Sequence, residues 1–135
     1  MALNASAVMD GIGVRLQTIT GLRVFDFPPD SLQPPAAIVS YPEISYDSTL
    51  GRGVDRMTVP VYVYVGRVSD RASRDALTAY MAGTGAQSIK TAVEGDKTLG
   101  GAAQSVRVMS ATPVDGSEVA GQPFVAVRFD IDVVG

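Results

Sequence analysis

Asp130 and Asp132 stand two residues apart near the C-terminus, in the phrase FVAVRFDIDVV. On an extended strand that spacing puts both carboxylates on one face, about 7 Å apart. Paired carboxylates at such a distance suit glycoside hydrolysis or a hard cation such as Ca2+. Arg128 precedes them on the same face, however, and no Asp-x-Asp-x-Asp-Gly loop accompanies them. A solvated or interface-facing strand is the plainer reading. Leu50-Gly-Arg-Gly-Val54 has the composition of an anion cradle built from backbone N–H groups and Arg52, or simply of a solvated hairpin tip. Gly11-Ile-Gly13 lacks the third glycine of a dinucleotide loop and falls inside a helical pattern, and the phosphate-loop pattern GxxxxGK[ST] is absent. Asp70, Arg71, Arg74 and Asp75 pair with opposite sign at i,i+4, the mark of a solvent-facing helix surface.

The chain contains neither histidine nor cysteine. Histidine is the usual general acid and base near neutral pH, and both residues are the usual ligands of zinc and the softer metals. Ser-His-Asp and Cys-His nucleophiles cannot be assembled from this composition. The expectation is therefore a protein without catalytic residues, metal or cofactor, whose work is done by its surfaces. Its net charge is −3, with eleven cations scattered among fourteen acids, which disfavours sequence-independent nucleic-acid binding. Hydrophobic residues make up 46% and charged residues 19%. That balance fits a well-filled β core, or a subunit that hides surface in an oligomer. Nine of the eleven cations are Arg, which suits a desolvated interface and equally reflects a GC-rich coding sequence. No apolar run approaches the roughly 20 residues that span a bilayer. The start, MALNASAVMDG, lacks the basic and continuous apolar regions of a signal peptide, so synthesis in a cytoplasm is expected. At 135 residues the expectation is one domain, 1–135.

The elements that would position these residues can be read from periodicity. Ala5, Val8, Met9, Ile12, Leu16 and Ile19 fall at helical spacing over 4–19, with Asn4 as N-cap and Thr20-Gly21 as the stop. Gly11 and Gly13 each cost about 1 kcal/mol against Ala, so this helix needs a partner to pack on. Leu22–Phe27 reads as a short strand, and Pro28-Pro29 and Pro34-Pro35 as a rigid connector. Ala36–Tyr41 is a second strand, with Pro42 at an edge or bend. Residues 43–56 form a polar, glycine-containing excursion. Met57–Arg67 is the clearest strand: Val59, Val61, Val63 and Val65 alternate with Thr58, Pro60, Tyr62 and Tyr64, which predicts a valine face in the core and a tyrosine face half-buried by a partner. Ser69 caps a helix over 70–82 with the stripe Ala72, Ala76, Leu77, Tyr80 and Met81. Thr84 to Gln87 fits a capping box that opens a short helix to Glu94, with Gly95 at C′. Asp96–Ala103 reads as a flexible loop. Gln104–Val114 and Gln122–Val134 form a hairpin, with Val125, Val127, Phe129, Ile131 and Val133 on one face and Ala126, Arg128, Asp130 and Asp132 on the other. The fold class is α+β, with one mainly antiparallel or mixed sheet, helices packed on one face, and long hairpin excursions.

This order of elements resembles the tail terminator, or tail completion, proteins of long-tailed bacteriophages. The resemblance rests on the N-terminal amphipathic helix, the Pro-rich connector, RMTVPVYVYVGR running into SDRASRDALTAYM, the short SIKTAVEG helix and the closing FVAVRFDIDVV. It covers nearly the whole chain and carries no catalytic signature. It implies a virion protein, assembled in the host cytoplasm, that forms a ring, commonly a hexamer, on the head-proximal end of the tail tube. The ring would end tube polymerisation and present a surface to the head-completion or connector protein, with DNA passing through it. A neck or head–tail connector protein, a tail-tube subunit and a small ligand-binding α+β module remain the alternatives. For a ring, the expected contacts with other copies or partners are Tyr46, Leu50, Arg52, Val54, Asp55 and Arg56 in the 43–56 excursion, with Tyr62 and Tyr64 on the tyrosine face. A long, mixed polar and apolar loop in a compact chain is usually functional.

Overall fold

A computed structural model describes residues 4–19, 21–25, 35–46, 55–67, 71–119 and 122–135. Among them, three α-helices pack on one mixed sheet, an α+β architecture. The helices are α1 (Ala5–Leu16), α2 (Arg71–Met81) and α3 (Ile89–Glu94). The strands are β1 (Arg23–Phe25), β2 (Ala36–Val39), β3 (Glu43–Ser45), β4 (Arg56–Arg67), β5 (Ser105–Val119) and β6 (Gln122–Val134). Their order is β1-β2-β4-β6-β5, and β3 joins β4 beyond the end of β2. All pairings are antiparallel except β1 with β2, which is parallel.

β4 and β6 build the core because their side chains alternate. Val59, Val61, Val63, Val127, Ile131 and Val133 are fully buried, and Phe129 nearly so, on the face that meets the helices. Val8, Ile12 and Leu16 of α1, Tyr80 of α2 and Ile89 and Val93 of α3 close over them. Leu77 and Met81 pack at the margin, half-buried. Val125 departs from its expected place in the core and is only half-buried. The pairing of β4 with β6 shifts between Tyr64 and Gly66, so Gly66 stands opposite Val125. The extra residue of such a bulge breaks the inward alternation at that point.

Of the two glycines of α1, Gly11 serves close packing, whereas at Gly13 a Cβ would make only an ordinary van der Waals contact. A Cβ on Gly11 would lie 3.0 Å from the Leu99 Cβ, and one on Gly13 3.6 Å from Val24. The helix begins as expected, with the Asn4 side chain accepting from the Ala7 N–H, but it ends at Leu16. Thr18 stops it by donating its hydroxyl and its N–H to the Arg15 carbonyl.

Four other local readings change. The cap of α3 is Ser88, not Thr84: its buried hydroxyl accepts from the Thr91 N–H and donates to the Ala82 carbonyl. Gly95 ends α3 in a right-handed conformation, φ −62°, so positive φ is not what its position requires; the Arg15 guanidinium occupies the space a Cβ would take. The stretch 96–103 is a compact turn. The Asp96 carboxylate accepts from the Thr98 N–H and hydroxyl and from the Gly100 N–H, and Leu99 is buried against α1. Finally, the C-terminal hairpin is longer than expected, because Asp115–Val119 belong to β5 and the ladder continues to Val119 opposite Gln122. Pro28, Pro29, Pro34, Ser69 and Asp70 lie outside the described residues, as does the side chain of Ala72.

Candidate interaction surface

The strands that bury valines on one side carry a different set on the other, and register fixes its order. Tyr64 lies between Ala36 and Ala126. Tyr62 lies between Ile38 and Arg128, with Thr112 beyond. Pro60 faces Asp130 and then Ser110; Thr58 lies between Glu43 and Asp132, with Arg107 beyond; Arg56 lies between Ser45 and Val134. Among the described residues no helix packs over this face, since all three contribute to the single core on the other side.

The face is graded. At the tyrosine end Ala36, Ile38 and Ala126 are buried although they point away from the helices, and Tyr62 and Tyr64 are half-buried. At the other end charges of both signs alternate. Arg128 Nε donates to Asp130 Oδ1 at 3.0 Å, and Ser110 Oγ lies 3.2 Å from Asp130 Oδ2. Arg56 Nε stands 3.8 Å from Asp132 Oδ1. The Asp130 carboxylate, by hydrogen bond and then by charge, and the neighbouring Tyr62 hold the Arg128 guanidinium above its ordinary range. These residues, with Thr58 and Met109, line a shallow depression of about 490 Å3.

The two aspartates are each engaged by an arginine, so they do not converge on a shared proton or an open cation position. Among the described residues no group of three or more His, Cys, Asp and Glu could hold a metal ion. The face can instead present fixed, mutually compensating charges and tyrosines to a macromolecular surface.

The expected interface residues do not stay together. Tyr62, Tyr64 and Arg56 share the helix-free face. Tyr46 is 71% exposed just past β3, and Tyr41, at the bend between β2 and β3, is 89% exposed. Asp55 is instead buried, and its backbone exchanges two hydrogen bonds with Gly135, tying the start of β4 to the C-terminus. Leu50, Arg52 and Val54 lie outside the described residues. The excursion is also shorter than expected, because Glu43–Ser45 pairs with Arg56–Thr58 as strand.

A second concavity, about 350 Å3, runs between α1 and the β1–β2 edge, lined by Met9, Val14, Val24, Phe25 and Val39 with Asp10 at its rim. It is mainly apolar and brings no convergent polar set to a ligand. Arg15, Lys90, Glu94 and Asp96 were not singled out from sequence. Arg15 Nε donates to the Ala92 carbonyl at 2.9 Å and so caps α3 from another helix, a contact across 77 residues that no local pattern encodes. No helix among the described residues is long and apolar enough to cross a membrane. The chain matches no protein-family model and no curated protein sequence.

Proposed function

We propose that this chain is a structural ring subunit of the tail-terminator kind, which caps the head-proximal end of a phage tail tube, ends its polymerisation and offers a surface to the head-completion protein. The observation that supports it best is the face of the sheet that no described helix covers. A subunit that stays soluble and later packs against copies and partners needs a broad surface with tyrosines, both signs of charge and little net charge. Tyr62, Tyr64, Arg128, Asp130, Asp132 and Arg56 supply such a surface on the two central strands of the sheet. The order of elements along the sequence supports the same reading. A heterologous contact between copies closes into a ring when its rotation allows.

The test is capping. Tail tubes assembled with the wild-type chain should be of limited length and carry a ring at one end by electron microscopy. The double change Arg56→Gln with Arg128→Gln, at two exposed or half-exposed positions, should leave thermal stability nearly unchanged and abolish the ring on the tube. Unchanged capping by the folded double variant would sink the role given to this face. Long filaments of the wild-type chain alone would make it a tube subunit instead.

A further inference from the structure

The outer edge of the sheet belongs to β5, and one point of that edge is occupied from α3. Val108 stands opposite Ile131, yet its N–H is not spent on β6: it donates to Glu94 Oε2 at 3.0 Å. The Val108 carbonyl accepts from Lys90 Nζ at 3.4 Å. Lys90 and Glu94 lie one turn apart on α3 and pair with each other at 2.5 Å. Together they fill both backbone groups that an additional strand would need at this place. Burial alone would raise the Glu94 carboxyl, but the hydrogen bonds from Lys90 and Val108 outweigh it and hold the group below its ordinary range.

Two more features fall on the same short stretch. The pairing shifts between Val108 and Ser110, so Met109 is an extra residue and the outward-bonding positions after Val108 become Ala111 and Pro113. Pro113 has no N–H to give. Charges, bulges and prolines are the devices that keep an open edge from pairing with another chain; here they are the Lys90–Glu94 pair seated on Val108, the extra Met109, and Pro113.

We propose that Lys90 and Glu94 are a guard on the β5 edge, and that the association they prevent is antiparallel pairing of β5 with the β5 of a second copy. An antiparallel ladder is two-fold symmetric, so an open edge fits its own copy. Beside this edge lies a groove of about 230 Å3 with Met81, Ala111 and Phe129 in its lining. The chain's own Met109, 55% exposed, also lines it, so a second copy paired along this edge would cover apolar surface on both chains. Lys90 and Arg107 on the rim of the groove would meet their like charges in such a dimer, so the guard also repels. The proposal does not rest on the tail-terminator reading, because it is argued from the β5 edge alone.

The experiment is sedimentation velocity of the full chain against concentration. Glu94→Ala should associate to twice the wild-type mass at concentrations at least tenfold below those at which the wild type does so, with unchanged far-UV circular dichroism. Adding Ala111→Pro, which removes the N–H at the next outward position, should restore the wild-type mass. A folded Glu94→Ala with wild-type mass throughout overturns the proposal, and so does a doubled mass that Ala111→Pro leaves in place. If Glu94→Ala does not fold, Glu94→Leu keeps bulk and helix propensity but cannot accept from the Val108 N–H, and is read by the same two outcomes.

Discussion

β4 and β6 present two faces made from the same backbone. On one, Val59, Val61, Val63, Val127 and Ile131 are fully buried against the helices. On the other, Tyr62, Tyr64, Arg128, Asp130 and Asp132 are half-buried with no described helix above them. The inner face is held by exclusion of water from apolar side chains, which is strong and indifferent to direction. The outer face is held by ion pairs and hydrogen bonds near solvent, which are individually weak. One face therefore stabilises the fold, and the other is the face that the proposed assembly would use. If that division is right, changes on the two faces should separate cleanly into effects on stability and effects on assembly.

The largest expected effect is on the inner face. Phe129→Ala should lower unfolding free energy by about 3–5 kcal/mol, read from chemical denaturation. A cost under about 1 kcal/mol would mean that this face is not the core. Gly11→Val should follow. Its side chain would press on the Leu99 Cβ and carbonyl, a backbone-adjacent contact that cannot give easily, at a cost of about 1–3 kcal/mol. Gly11→Ala should not show the gain of helix propensity that an open helical site would give.

Arg15→Ala removes a charged donor from the Ala92 carbonyl at the end of α3 and should cost about 1–2 kcal/mol. Hydrogen exchange at Val93 and Glu94 should report the loosening before global unfolding does. The smallest stability effects belong to the outer face. Arg128→Ala or Asp130→Asn should change stability by less than about 1 kcal/mol, while altering assembly with partners. A large loss of stability from either would break the comparison, because it would make the outer face part of the folding core.

Acid titration sharpens it further. The Glu94 carboxyl is held below its ordinary range in the folded protein. Its contribution to stability is thus fully present above the unfolded-state value and is lost as pH falls through the folded-state value. Glu94→Gln should flatten that part of the acid limb of the stability profile. An unchanged limb would show that the ionised Glu94 carboxylate, with its bonds to Lys90 and Val108, contributes nothing to the folded state.

Much of the fold was legible because periodicity is a direct consequence of backbone geometry. Period-two order over 57–67 and 122–134 told which side of each strand is dry, and the 3.6-residue spacing over 4–19 located α1. Asn4 was legible as a cap because its acceptor reaches the N–H three residues on, wholly within local sequence. The capping box at Thr84 looked equally local and was wrong, since Ser88 has a second partner, the Ala82 carbonyl, that rewards its place at the cap. Of the interface residues, Tyr62 and Tyr64 could be placed on one face by alternation alone; Arg56, read as part of the excursion, joins them only because β4 starts one residue earlier, and Asp55 is tied by its backbone to Gly135, eighty positions away.

By itself, then, the sequence determined which residues turn inward, where the main strands and helices lie, and that histidine and cysteine chemistry is unavailable. These follow from side-chain type and from the fixed geometry of helix and strand. Only the tertiary structure decided the parallel pairing of β1 with β2, the approach of Leu99 to Gly11, the reach of Arg15 across the end of α3, and the seat of Lys90 and Glu94 on Val108. Each joins groups far apart along the chain. Their partners are selected by which surfaces remain once the core has closed, and no local pattern of residues carries that information.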